Sequence, residues 1–134
     1  MFSTIKELVA LATEQKKPIS EIMIEQEMAM TQQSREYIWG KMEKNLQTMK
    51  NAVERSVEGE GVFSPTGLTG GDALKMKKYR ERGKTLSGDS VLAGVQYALG
   101  TNEVNAAMGL VCATPTAGSA GCLPAVLTSA IEKL

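Results

Sequence analysis

Between residues 34 and 57 this chain carries Ile38, Met42, Leu46, Met49, Val53 and Val57, recurring every three or four positions among charged and amide side chains. That period matches the 3.6-residue turn of an α-helix and lines the apolar side chains along one side of a long rod. Such a rod cannot bury its stripe alone and needs other elements laid against it. Ser34 stands where a capping residue belongs. No stretch shows the alternation of a half-buried strand, so the fold class expected is all-α.

Other runs supply the partners. Residues 3–15 place Ile5, Leu8, Val9 and Leu11 in near-helical spacing, with Ser3 as a cap and Lys16, Lys17 and Pro18 closing the run. Ser20 is expected to cap a second helix bearing Ile22, Met23, Ile24, Met28 and Met30, broken at Thr31, Gln32 and Gln33. Further on, Asp72 reads as the N-cap of a helix reaching Arg82, and Val91, Leu92, Val95, Ala98 and Leu99 mark a buried helix over 90–99. Thr101 or Asn102 caps another over 102–113, and 123–133 resumes helical spacing. An irregular bundle of about six to seven helices is expected, and a length of 134 residues suits one domain.

Composition excludes several classes of function. Fifteen basic and fifteen acidic residues cancel and aromatic residues are few. The chain therefore lacks the electrostatic footprint and stacking platforms of a nucleic-acid binder, and a basic face for an anionic membrane. No window approaches the roughly 18 apolar residues of a membrane span, and the amphipathic, acid-containing start differs from a cleavable signal, so a cytoplasmic protein is expected. Histidine is absent, which removes His-based triads and the commonest general base and metal ligand. Cys112 and Cys122 read as small buried hydrophobes, and the methionines at helical spacing read as core filling.

The one basic run, Lys75, Lys77, Lys78, Arg80, Arg82 and Lys84, reads as a solvated helix face, with a partner surface or phosphate contact behind that reading. Gly83, Lys84 and Thr85 resemble the end of a phosphate-binding loop. That motif requires glycine where Lys78 stands, and a strand before it.

Two stretches resist helix formation. Residues 59–71, GEGVFSPTGLTGG, set Ser64, Thr66 and Thr69 beside Gly67, Gly70 and Gly71. Thirteen residues is long for a connection in a compact domain. Within 101–127, where Glu103 is the sole charged residue, Gly109, Gly118 and Gly121 accompany Thr114, Thr116 and Ser119 around Pro115, with Pro124 placed as a first helical residue often is. Backbone N–H groups at turns and helix starts, together with hydroxyl donors, make a concave site for an anion such as a carboxylate. A tight helix-to-helix connection uses the same residues, and both readings stand at this level.

Three motifs, ISEIMIEQEMAM (19–30), SPTGLTGGDALKMKKYRERGKTLSG (64–88) and NEVNAAMGLVCATPTAGSAGCLP (102–124), occur in an order that resembles the alpha subunit of bacterial iron-sulfur L-serine dehydratases. The resemblance covers nearly the whole chain and implies that residues 1–134 are the N-terminal portion of an all-helical catalytic domain. It implies conversion of L-serine to pyruvate and ammonia with a [4Fe-4S] cluster rather than pyridoxal phosphate. Elimination of the serine hydroxyl needs a Lewis acid at the leaving oxygen, a base for the Cα proton and anchors for the carboxylate.

Carried over to these motifs, the implied substrate-binding residues are Ser64, Thr66, Thr69, Gly70 and Gly71 from the first loop, Thr114, Thr116, Gly118, Ser119 and Gly121 from the second, and Asn105. The cluster ligands of the family are three cysteines beyond the region covered here, so no cluster, metal ligand or activity is expected of this chain alone. The implied partners are L-serine, the remaining C-terminal half of the alpha chain, a beta subunit or regulatory domain, and an oligomeric assembly. Two rival readings are weighed. A pyridoxal-phosphate dehydratase requires alternating strands and helices, which the sequence lacks. A helical interaction module would dock through the apolar C-terminal part, whose low charge calls for covering protein.

Overall fold

The structure, a computed structural model, describes residues 2–134. It is all-α, with helices α1 (Ile5–Gln15), α2 (Ile19–Thr31), α3 (Arg35–Arg55), α4 (Asp72–Arg80), α5 (Asp89–Ala106) and α6 (Cys122–Ile131). Among the described residues there is no strand, only an isolated bridge between Phe63 and Gly70. The chain divides into two compact units, Met1–Lys44 and Asn45–Leu134.

In the first unit α1 and α2 pack on each other. The cap of α1 is Thr4, one residue later than the expected Ser3: Thr4 Oγ1 accepts from Glu7 N at 3.2 Å while the Glu7 carboxylate accepts from Ser3 N at 2.7 Å and Thr4 N at 3.3 Å. This reciprocal box satisfies donors that a helix start otherwise leaves open, and those backbone bonds lower the Glu7 pKa. Ser20 lies inside α2, which starts after Pro18 without a side-chain cap. Proline lacks the donor that would need satisfying there and presets the extended backbone of an entry residue. Glu21 and Arg35 form a two-pronged ion pair, both contacts at 2.7 Å. Of the described methionines only Met49 is buried, and Met23, Met30 and Met42 are exposed, so core filling is not their general role.

The second unit is built on α5, which packs against both α4 and α6. Its core joins Val53 of α3, Ala93 and Tyr97 of α5 and Ala125 of α6, with Ala98 against them. The α3 stripe is fully buried only at Met49 and Val53, with Ala52 beside them. The two helices expected over 90–99 and 102–113 are one helix and an irregular segment. Gly100 does not break α5. It lets the buried Ser56 approach so closely that an added Cβ would collide with the Ser56 side chain. Thr101, expected as a cap, bonds from Oγ1 back to Tyr97 O at 2.9 Å within the helix. Met108, in the left-handed region at φ 59°, ends the run, with Gly109 N donating to Val104 O at 2.8 Å.

The buried face of α5 is Ala93, Gln96, Tyr97, Gly100, Thr101, Glu103 and Val104, while Val91 and Val95, expected inside, are exposed. A polar network decides this. Arg80 is not a solvated member of the basic run: it donates to Asp89 Oδ1 at 2.9 Å and to the buried Gln96 Oε1 at 2.6 Å, and lies 5.7 Å from the Tyr97 ring centre. Tyr97 OH donates to Glu132, which ties α5 to the residue that follows α6. Burial and that bond raise the Tyr97 pKa, and the Arg80 guanidinium lowers that of Asp89.

Candidate functional site

Both hydroxyl-bearing stretches are loops that feed helices of the second unit. In the first, Ser64 N donates to Thr69 O at 2.9 Å and Gly71 N to Val62 O at 3.0 Å, closing a narrow neck. Ser64 Oγ accepts from Thr69 N at 3.3 Å and lies 3.2 Å from Thr66 Oγ1. Thr66 and Thr69 are exposed and Ser64 is half-buried, so the hydroxyls line the rim. Gly70 has φ 132°, a backbone conformation essentially reserved for glycine, and a Cβ there would strike the Val62 carbonyl. Packing of the neck therefore accounts for Gly70.

Asp72 is not the N-cap of α4. Gly71 holds that position with φ 77° and no side-chain cap, and Asp72 is the first helical residue, its carboxylate turned to Lys75 at 2.8 Å. The capping is done from α5. The buried Glu103 carboxylate accepts from Asp72 N at 2.6 Å and from Ala73 N at 3.3 Å. An anion thus does sit at the start of α4, and it belongs to the protein. The sequence showed Glu103 as a lone charge in an apolar stretch; its partner, 31 residues earlier, is a matter of tertiary structure.

The second loop, 107–121, is closed by its own side chains. Ser119 Oγ lies 3.0 Å from Thr114 O, 2.9 Å from Thr116 Oγ1 and 3.3 Å from Thr116 N, and Ser119 N donates to Thr116 Oγ1 at 3.2 Å. Thr114 Oγ1 is buried without a hydrogen-bond partner. Thr116 and Gly118 are exposed, and a Cβ on Gly118 would meet nothing nearer than Thr116 Oγ1 at 3.9 Å, so the backbone here is open to close approach. Gly121 is accounted for by packing, since a Cβ would lie 2.7 Å from Ala98 O and 3.2 Å from Asn102 Nδ2. Pro124 is the third residue of α6 rather than the first, and is buried. Asn105 lies half-buried on the last turn of α5, its carbonyl accepting from Met108 N.

Both loops end against the same helix, α5. Gly71 leads directly into the helix start held by Glu103, and Gly121 rests on Ala98 and Asn102, so both exits lean on the C-terminal half of α5. None of the predicted site residues lines the cleft of about 430 Å³ around Arg80, Gln96, Tyr97, Thr128 and Glu132, whose buried polar groups are bonded to one another. Cys112 is half-buried and Cys122, first residue of α6, is exposed, so neither is the fully buried hydrophobe expected. Both thiols are free, and among the described residues no three His, Cys, Asp or Glu side chains are placed to hold a metal ion. These residues do not fit a [4Fe-4S] cluster, which takes several cysteine ligands. Among the described residues no helix is long and apolar enough to cross a membrane.

Residues 14–134 match the family model described as serine dehydratase alpha chain. The chain is 51% identical over 134 residues to a probable L-serine dehydratase alpha chain of Bacillus subtilis (strain 168), covering 100% of this chain and 44% of that protein. It is 30% identical over 133 residues to the L-serine dehydratase alpha chain of Peptoniphilus asaccharolyticus, covering 99% of this chain and 45% of the relative. An L-serine dehydratase of Streptomyces coelicolor is 35% identical over 131 residues, 27% of its length. The chain thus spans less than half of each of these relatives. No solved structure shows significant similarity to it.

Proposed function

Because the chain belongs to the serine dehydratase alpha-chain family, we propose that it is the N-terminal portion, residues 1–134, of the catalytic domain of a cytoplasmic L-serine ammonia-lyase that forms pyruvate and ammonia. Its part is to present substrate-binding loops, and it is inactive alone. The observation that carries this reading is the likeness of all of this chain to part of L-serine dehydratase alpha chains, joined to two hydroxyl-bearing loops whose exits share one half of α5.

The substrate carboxylate needs donors, and charge-assisted hydrogen bonds from hydroxyls and backbone N–H groups are the means at hand. Thr66 and Thr69 on one rim and Thr116, Gly118 and Ser119 on the other are assigned that role, with Ser64 and Thr114 behind them. Gly70, Gly71 and Gly121 give the rims their shape, and Asn105 orients the second loop. Thr114 Oγ1, buried without a partner, supports a polar group arriving at the second rim. The [4Fe-4S] cluster of the proposed enzyme takes its ligands from the remainder of the alpha chain, since Cys112 and Cys122 do not make a cluster site. The beta subunit, or the regulatory domain of a single-chain form, and the remaining alpha-chain half complete an oligomeric enzyme.

The test is direct. The complete alpha chain, assembled with its beta subunit under anaerobic iron-sulfur reconstitution, is expected to release pyruvate from L-serine, and residues 1–134 alone to release none. A reconstituted assembly that leaves L-serine unchanged overturns the proposal. It would favour a helical interaction module docking through the exposed Leu110, Leu123, Val126 and Ile131.

A further inference from the structure

We propose that Glu103 is a positioning residue for the substrate rims: its buried carboxylate, seated on the start of α4, pins the exit of the first loop to the half of α5 that also carries the exit of the second. This rests on the two-loop reading of the substrate site. A carboxylate is costly to bury unless donors surround it, and Glu103, 7% exposed, finds them in Asp72 N and Ala73 N. A local cap would satisfy the same donors. A serine, threonine or aspartate preceding α4 usually does so, whereas this chain has Gly71 there in a left-handed conformation.

The long-range carboxylate does what a local cap cannot, which is to fix the start of α4 to another helix. Asn102, the next residue back on α5, touches the space beside Gly121 at the end of the second loop. Of two consecutive residues of α5, Glu103 thus bonds the exit of the first rim and Asn102 lies against the exit of the second. A second consequence follows from occupancy. With the α4 start already bonded to Glu103, the first rim meets the substrate through its hydroxyls, Thr66 and Thr69, and not through the helix start.

The experiment uses the assembled enzyme and measures KM and kcat for L-serine together with the thermal midpoint, for Glu103→Gln, Glu103→Asp and Thr69→Ala. Glu103→Gln keeps the shape and one acceptor but loses the charge; Glu103→Asp keeps the charge and shortens its reach. Both are expected to raise KM, roughly tenfold for the glutamine variant, with kcat within about twofold at a temperature well below unfolding. A lowered thermal midpoint with wild-type KM in both variants overturns the proposal. Failure of both to assemble also overturns it, as the mark of a merely structural cap. Thr69→Ala separates the two levels: a raised KM there with unchanged KM for the Glu103 variants rejects Glu103 and keeps the two-loop reading. Unchanged KM in all three rejects both.

Discussion

The first loop is closed at its neck by local backbone pairs, and its exit is fixed from a distance by Glu103, 31 residues along the chain. The second is tied mainly within itself: the Ser119 hydroxyl and amide meet partners no more than five residues away, and its last residue, Gly121, packs on α5. Two stretches alike in composition thus reach order by different routes, one through tertiary structure and one through short-range side-chain bonding. Damage to the first should spread to helix packing, whereas damage to the second should stay within the loop.

The largest effect expected is for Gly70→Val in the complete alpha chain, where a side chain meets both a forbidden backbone angle and the Val62 carbonyl. A loss of about 3–5 kcal/mol is expected by urea unfolding, and a loss below about 1 kcal/mol would mean that the neck is slack. Next comes Glu103→Ala, which strands two backbone donors; about 2–3 kcal/mol is expected from the loss of charge-assisted bonds. Smaller again is Ser119→Ala, at about 1 kcal/mol, with protease sensitivity rising at 114–119 and unchanged elsewhere. If Ser119→Ala proves as destabilising as Glu103→Ala, the contrast between the loops fails.

The smallest effect lies at the other end of α4, where Arg80 lowers the pKa of the exposed Asp89. A depressed carboxylate contributes stability that is present above its unfolded pKa of about 3.9 and is lost as pH falls through the lower folded value. Asp89→Asn should therefore lower stability slightly at neutral pH, where the pair is intact, flatten the acid limb of the profile, and leave stability unchanged at pH values below the lowered folded pKa. An unchanged acid limb would show that this end of α4 is held by Gln96 and Tyr97 alone.

Helix content and the two loops were legible because they rest on local rules: the α3 stripe gives a helix, and clustered glycines deny one. Burial was less legible. Val91 and Val95 look like core residues, yet Gln96 and Tyr97 are inside because Arg80 and Glu132 reach them from elsewhere in the fold. Gly100 and Thr101 look like a stop followed by a cap until Ser56 is found against the glycine. Glu103 stood out as a lone charge, but only the tertiary structure gives it the start of α4. The family was legible from three ordered motifs, and the match over residues 14–134 agrees with it. The function of the loop hydroxyls rests on that family and on placement.

Amide hydrogen exchange of the assembled enzyme, with and without L-serine, tests the substrate-rim reading most directly. Slower exchange on adding L-serine is expected within both 64–71 and 114–121, and it should weaken at 64–71 in Glu103→Gln. Protection confined to other parts of the enzyme, with both loops exchanging as before, would contradict the account.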